Sequence, residues 1–223
     1  KGLLLERGNR LEITFASPLP HLAERERIRH LPDWHGPGEV DGRAWLRKSP
    51  CSFGWDWGPH LASCGPWKSV ALVAWDGARI TDLHVRQDHS QPGRVDLSVT
   101  VGVERAAVTG SALSGEVAVL REGRTVARAE TGVTADRAEA ALRIENPELW
   151  WPNGMGGQPL YDVVVTLQNA GGEALDTTSR RIGLRTLRLD RHADQWGESF
   201  QFVVNGVAFF AKGANWIPAD TFV

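Results

Sequence analysis

The stretch Val95-Asp96-Leu97-Ser98-Val99-Thr100-Val101 decides the fold, because its apolar and polar residues alternate strictly. Side chains along a β-strand point to its two faces in turn, so this pattern predicts a strand with one buried face. Comparable β-prone runs lie at residues 80–85, 95–103, 115–120, 124–129, 138–144, 160–168 and 174–184. Turn residues separate them, as at Gln91-Pro92-Gly93, Glu122-Gly123 and Asn169-Ala170-Gly171-Gly172. Seven short strands between residues 78 and 185 are typical of an immunoglobulin-like β-sandwich.

The sequence on either side of this region is less regular. Before it, a strand is predicted at residues 10–15, where the apolar residues Leu11, Ile13 and Phe15 alternate with polar ones. A polar helix is expected from about residue 21 to 31, and a buried strand at residues 70–75. After it, residues 201–210 are expected to form a hairpin that turns at Asn205-Gly206. Neither end of the chain has a start signal or a terminal tail, so we expect an internal fragment of a longer protein.

The composition excludes several classes of protein. The 25 basic and 27 acidic residues give a formal net charge of −2, which argues against a nucleic-acid binder and against a polybasic membrane module. No apolar run approaches the roughly 18 residues that span a bilayer. A hydrophobic fraction of 42% is ordinary for a folded domain. We therefore expect a soluble protein without nucleic-acid or membrane partners, and a cytoplasmic location is favoured.

Ten Trp residues are unusual for 223 residues, and the densest group is Phe53-Gly54-Trp55-Asp56-Trp57-Gly58-Pro59. A sugar packs its C–H face on an aromatic ring, and a carboxylate accepts hydrogen bonds from two neighbouring hydroxyls. Gly and Pro would hold such a site in a tight loop. Composition alone favours the alternative, in which the two indoles are core and Asp56 caps a turn.

Two further motifs contain Trp. Residues 146–161 combine Trp150-Trp151 with many turn residues, for which a structural corner is the favoured interpretation. Residues 210–220 place Lys212-Gly213-Ala214-Asn215-Trp216 after an apolar strand, where barrel enzymes carry their polar groups. The seven His have no metal-ligand spacing, and no dinucleotide or phosphate-binding loop is present, so no metal and no cofactor is expected. Cys51 and Cys64 are expected to be free buried thiols.

Taken together, the motifs resemble glycoside hydrolase family 2, and within it the β-mannosidase branch. The resemblance rests on three groups of residues: Ser52-Phe53-Gly54-Trp55-Asp56-Trp57-Gly58-Pro59 with Gly65-Pro66-Trp67-Lys68, Glu148-Leu149-Trp150-Trp151-Pro152-Asn153-Gly154 with Gln158-Pro159-Leu160-Tyr161, and Gly183-Leu184-Arg185 with 205–220. It implies a mainly β chain in three parts. These are a truncated jelly-roll sugar-binding domain at 1–77, an immunoglobulin-like sandwich at 78–185, and the first strands of a catalytic (β/α)₈ barrel at 186–223.

The resemblance also assigns roles to individual residues. Asp56 would hydrogen-bond the sugar, Trp55 and Trp57 would shape its loop, and Asn215 and Trp216 would line the pocket at the end of the first barrel strand. The two catalytic Glu residues of the family come from later barrel strands. No residue of this chain can take either role, so we expect the fragment itself to be inactive.

The implied parent protein is a retaining exo-β-mannosidase acting on a β-mannoside or oligosaccharide, without cofactor. One alternative keeps the family and changes the branch to a β-glucuronidase, β-galactosidase or exo-glucosaminidase. Another is a non-catalytic carbohydrate-binding β-sandwich module, and a third is a structural fragment with no site.

Overall fold

The computed structural model describes residues 5–32, 40–49, 51–55, 58–106 and 112–217. The chain divides into two compact units, one formed by Lys1–Leu72 with Gly213–Val223 and the other by Val73–Lys212. Every β-strand within the described ranges belongs to the second unit. Within the same ranges, no helix has the length and apolar character needed to cross a membrane.

The first unit contains helix α1 (Leu19–Ile28) and a turn of 3-10 helix at Arg43–Trp45. The helix confirms the polar helix expected near residue 21, although it begins and ends slightly earlier. Leu22 is its only buried residue, and Gly42 packs against it: a Cβ on Gly42 would lie 3.1 Å from the Leu22 carbonyl oxygen. This close approach holds the 3-10 turn against the helix.

The two strands predicted in residues 10–15 and 70–75 do not form, so both predictions are wrong. The apolar side chains that suggested them are exposed, with Leu11 at 77% and Leu72 at 80% of their full accessibility. Alternation produces a strand only when a neighbouring strand supplies hydrogen bonds and a surface to cover. Neither segment has such a neighbour in the part of the chain that the structure describes.

The second unit contains a β-sandwich whose strands match all seven sequence predictions. They are β1 (Ala78–Asp88), β2 (Arg94–Arg105), β3 (Ser114–Arg121), β4 (Arg124–Gly132), β5 (Arg137–Glu145), β6 (Tyr161–Gln168) and β7 (Ala174–Ile182). One sheet has the order β1-β2-β5 and the other β4-β3-β6-β7, with all neighbouring strands antiparallel.

Alternating apolar residues of the central strands build the core between the two sheets. The buried side chains include Val95, Leu97, Val99, Val101 and Val103 of β2, Val117 and Val119 of β3, and Val163, Val165 and Leu167 of β6. Burying one such side chain is worth about 1.5–3 kcal/mol. The hydrophobic effect therefore fixes which face of β2, β3 and β6 points inward.

Side chains close the two seams where the sheets meet without a backbone ladder. The Asp176 carboxylate on β7 accepts a 2.8 Å hydrogen bond from the backbone N–H of Ile80 on β1. The hydroxyl of Thr131 on β4 donates a 2.7 Å hydrogen bond to the carbonyl of Glu139 on β5. These bonds satisfy backbone groups at the strand edges, one of them partly buried and the other exposed.

Two small sheets follow the sandwich in sequence. β8 (Leu187–Asp190), β11 (Gln201–Val204) and β12 (Val207–Phe209) form one in the order β12-β11-β8, while β9 (Ala193–Asp194) pairs with β10 (Gly197–Glu198). β11 and β12 confirm the predicted hairpin, and its turn residues Asn205 and Gly206 have φ values of 48° and 83°. Positive φ at both positions is typical of the type I′ turn that an Asn-Gly pair favours.

Candidate functional site

The residues predicted to contact sugar are only partly described. Asp56 and Trp57 lie outside the described residues. Trp55 is half-buried, whereas Asn215 is exposed and Trp216 is 87% exposed. All three belong to the first unit. Among the residues described, no hydrogen bond or ring contact joins Trp55 to Asn215 or Trp216.

The backbone on the two sides of residues 55–59 is in close contact. Gly54 has a φ of 107°, a conformation that L side chains rarely adopt. A Cβ added to Gly54 would lie 2.6 Å from Nδ1 of His60. Only glycine fits at position 54 for both reasons, and the contact holds the residues that flank 55–59 against each other.

Lys48 makes a second connection across the same loop. Its Nζ donates hydrogen bonds to the carbonyl of Ser63 at 2.7 Å and to the Ser63 hydroxyl at 2.9 Å. It also lies 4.4 Å from the centre of the Phe53 ring, and Phe53 is fully buried. A cation over a buried ring is attracted by the ring's negative face. Burial lowers the pKa of Lys48, an effect that the neighbouring Cys64 opposes.

The two cysteines differ in their surroundings. Cys51 is buried beside Phe53 in sequence, and its sulfur lies 2.9 Å from the Ser49 hydroxyl. Cys64 is exposed, with its sulfur 3.5 Å from the carbonyl of Ala16. Both are free thiols, as predicted, but the prediction that both are buried is wrong for Cys64 because it lies on an open stretch of the loop.

Asn215 and Trp216 do not stand at the end of a strand. β12 ends at Phe209, and residues 210–217 have no regular secondary structure. The described residues thus place Asn215 and Trp216 in a segment without regular secondary structure, and their role in the pocket of a complete barrel stays a prediction. An apolar run such as Phe209-Phe210-Ala211 suggests a continuing strand, but pairing ends at Phe209, which lies opposite Phe202, and none of the described strands pairs with residues 210–217.

Trp150 and Trp151 form the structural corner that the sequence favoured. The backbone N–H of Trp150 donates a 2.9 Å hydrogen bond to the Leu184 carbonyl. The backbone carbonyl of Trp150 accepts a 3.0 Å hydrogen bond from Nδ2 of Asn205. The Arg185 guanidinium lies 4.6 Å from the centre of the Trp150 ring. Trp151 packs against Gly156, where a Cβ would lie 2.8 Å from the indole. Both indoles are thus used in packing.

The structure also contains an open cleft that no pattern in the sequence predicted. It has a volume of about 590 Å³ and lies on the second unit. Six of the residues that line it are His89, Gln91, Pro92, Asn146, Pro147 and Thr186. They come from the β1–β2 turn, the corner after β5 and the segment before β8. Only the antiparallel pairing of distant strands brings them together, so no local motif could have revealed the cleft.

No cluster of three or more His, Cys, Asp or Glu in the described ranges has the geometry of a metal site. Several described carboxylates of the sandwich form surface ion pairs, such as Asp96 with Arg143 at 2.9 Å and Asp162 with Arg181 at 2.8 Å. Each arginine hydrogen bond lowers the pKa of Asp96, and each aspartate raises the pKa of its arginine partner. These carboxylates are used in pairing and not in chemistry.

Comparison with protein families gives two matches that fall on different parts of the chain. Residues 78–185 match the model "Glycosyl hydrolases family 2", and residues 1–68 match "Glycosyl hydrolase 2 galactose-binding domain-like". Together they cover more than three quarters of the chain. Both models describe domains of the same enzyme family.

Individual relatives agree with these matches. The chain is 34% identical over 99% of its length to Beta-mannosidase B of Emericella nidulans, and 37% identical over its full length to Beta-mannosidase B of Thermothelomyces thermophilus. It spans about a quarter of each relative, 26% in both cases.

A solved structure agrees with the family models and the relatives. The crystal structure of a β-D-mannosidase from Dictyoglomus thermophilum is 36% identical, with a TM-score of 0.77 over 92% of this chain and 25% of its own. Family models, relatives and fold therefore agree, and the chain belongs to glycoside hydrolase family 2.

Proposed function

We propose that this chain is part of a retaining exo-β-mannosidase that releases terminal β-D-mannose. The observation that carries the proposal is the similarity, over essentially the whole chain, to relatives and a solved structure named as β-mannosidases. The chain spans about a quarter of those proteins, so the activity belongs to a protein of their full length.

Within that protein, Asp56 would accept hydrogen bonds from two neighbouring hydroxyls of the mannose ring, since an ionised carboxylate offers two acceptor oxygens. Trp55 and Trp57 would shape the loop around it, and Asn215 and Trp216 would line the pocket. The close packing of Gly54 on His60 and the Lys48–Ser63 hydrogen bonds support this assignment. A sugar contact requires a loop whose flanking backbone is fixed.

The chain by itself would be inactive. Retaining hydrolysis needs an acid/base and a nucleophile, two carboxyl groups about 5–5.5 Å apart. The family resemblance assigns both to barrel strands that follow the residues present here. The contribution of this chain is therefore recognition of the sugar, and hydrolysis depends on the remainder of the barrel.

The test is the Asp56→Asn substitution in the full-length protein, assayed on 4-nitrophenyl β-D-mannoside. Loss of a charged hydrogen-bond acceptor should lower kcat/KM by well over tenfold while the melting temperature stays within about 1 °C. The matched control is Asp76→Asn, because the Asp76 side chain accepts a 2.8 Å hydrogen bond from the N–H of Gly77 in a turn, which an asparagine oxygen can also accept. The control should retain full activity.

Two results would overturn the proposal. Unchanged kcat/KM in the Asp56→Asn variant would make Asp56 a turn residue without a sugar contact. Faster turnover of the corresponding galactoside or glucuronide by the wild-type protein would move it to another branch of the family.

A further inference from the structure

The cleft on the sandwich has walls that are fixed by backbone hydrogen bonds. The N–H of Asn146 donates to the carbonyl of Gly93 at 2.7 Å, which ties the corner after β5 to the β1–β2 turn. The N–H of Thr186 donates to Asn205 Oδ1 at 3.0 Å, and the N–H of Asn205 donates to the Thr186 carbonyl at 3.1 Å. The cleft is therefore part of the folded unit and does not need a ligand to form.

His89 lines this cleft and has one ring nitrogen free to accept a hydrogen bond. Its Nε2 lies 3.0 Å from Gln87 Oε1, the oxygen that also accepts from the N–H of Arg185 at 3.2 Å. Because a carboxamide oxygen can only accept, Nε2 carries the proton and Nδ1 keeps its lone pair. Burial lowers the pKa of His89, which favours this neutral form at pH 7.

Two further side chains bring unused hydrogen-bonding capacity. The carboxamide of Asn146 and the hydroxyl of Thr186 have no hydrogen-bond partner among the described residues. Pro92 and Pro147 add apolar surface to the same cleft. A few polar groups set between apolar walls are the usual composition of a small-molecule site, and 590 Å³ is within the usual range of volumes.

The charges around the cleft favour a neutral ligand. Arg94 is the cationic residue of its lining, and its guanidinium is paired with Asp96 at 3.1 Å. Asp96 is also bound by Arg143 on the neighbouring strand, and Arg143 lies 3.9 Å from the Glu145 carboxylate, so two carboxylates balance the two guanidinium charges. With the Arg94 charge already compensated and His89 neutral, the remaining groups match hydroxyls, which both donate and accept hydrogen bonds.

We propose that this cleft binds a neutral polyhydroxylated ligand, a mono- or disaccharide, at a site that does not use Asp56. His89, Asn146 and Thr186 hydrogen-bond its hydroxyls, and Pro92 and Pro147 pack on its apolar face. Because the cleft is open to solvent, binding is weak, with a Kd in the millimolar range. This inference does not rest on the β-mannosidase proposal.

The experiment titrates the 223-residue chain with β-1,4-mannobiose and, in parallel, with cellobiose. Calorimetry and NMR measure the binding. Saturable binding of either disaccharide is expected. Thr186→Val keeps the backbone N–H that bonds Asn205, and Asn146→Gly suits the φ of 47° at this position. Each should weaken binding by about three- to tenfold, the loss expected for one hydrogen bond. Asp76→Asn is the matched control, because Asp76 lies in the turn before β1 and does not line the cleft, and it should leave the Kd unchanged.

Three outcomes would overturn the inference. They are no saturation by either disaccharide up to about 0.1 M, equal affinity of the wild type and both cleft variants, and tighter binding of inorganic phosphate than of sugar. Circular dichroism melting of each variant shows whether it is folded. A failed Asp56→Asn assay in the full-length protein would leave this result untouched, because the two tests use different residues.

Discussion

Replacing Gly183 with Ala should destabilise the sandwich unit, although it adds only one methyl group. Gly183 follows β7 and faces the Trp150 indole, and a Cβ at this position would lie 2.8 Å from Cγ and 2.9 Å from Cβ of Trp150. Real Cβ atoms do not approach other carbons so closely. The φ of Gly183 is outside the left-handed region, so the cost comes from this contact and not from the backbone.

The magnitude depends on whether Trp150 can move away. The backbone N–H of Trp150 is hydrogen-bonded to Leu184, and its backbone carbonyl to Asn205. The Arg185 guanidinium lies over the Trp150 ring. Trp150 is therefore held in place, and the cost should be that of an overpacked core, about 1–3 kcal/mol. For a unit of this size, such a loss lowers the melting temperature by roughly 4–10 °C.

Thermal and urea unfolding of the chain, followed by circular dichroism, measures the loss. Gly132→Ala is the matched control, because Gly132 is at the end of β4 with no atom within 4 Å of its would-be Cβ. That substitution should be neutral or stabilising by up to about 1 kcal/mol. In the double variant Gly183→Ala with Trp150→Gly, which removes both the Cβ and the indole that the new methyl group would meet, the two losses should be less than additive. Equal stability of the two glycine variants, or strict additivity, would refute the steric argument.

The remaining predictions concern four polar groups of the sandwich. Asp176→Ala leaves the Ile80 N–H without its acceptor and should cost about 1–3 kcal/mol, while Thr131→Val loses a more exposed bond and should cost about 0.5–1.5 kcal/mol in urea unfolding. His89 has a lowered pKa, so stability should fall as the pH drops below 6.5, and His89→Gln should abolish this slope between pH 7.5 and 5.5. The pKa of Asp96 is also lowered in the folded chain, so its contribution to the free energy of unfolding should be present above about pH 4 and lost as the pH falls below that value. In the Asp96→Asn variant, the midpoint of urea unfolding should therefore change less between about pH 3 and pH 5 than in the wild type.

The strands of the sandwich could be predicted because each carries its own signal. β2 alternates strictly, and its apolar residues are the ones buried between the sheets. The Asn205-Gly206 turn was equally local, since positive φ at two successive positions favours this pair. Where burial and turn geometry are encoded within about ten residues, sequence patterns were sufficient.

The failures have one physical cause, which is dependence on a partner that is distant in sequence. Residues 10–15 have the same alternation as β2, but no ladder covers them in the described part of the chain, and Leu11 is exposed. The seam bond between Asp176 and Ile80 joins residues that are 96 positions apart. The cleft depends in the same way on Thr186 lying near Asn146. Such contacts follow from strand order, which alternation does not determine.

The distribution of buried residues bears on how the proposed mannose site can be studied. In the described part of the first unit, the buried apolar side chains are Leu22, Cys51 and Phe53, whereas the sandwich has a continuous core from both sheets. Local opening requires least energy where few apolar contacts must be broken. The Lys48–Ser63 and Gly54–His60 contacts should therefore open before the sandwich unfolds. An Asp56 substitution consequently reports on sugar recognition only through kcat/KM in the full-length protein, because the unfolding of this chain is dominated by the sandwich.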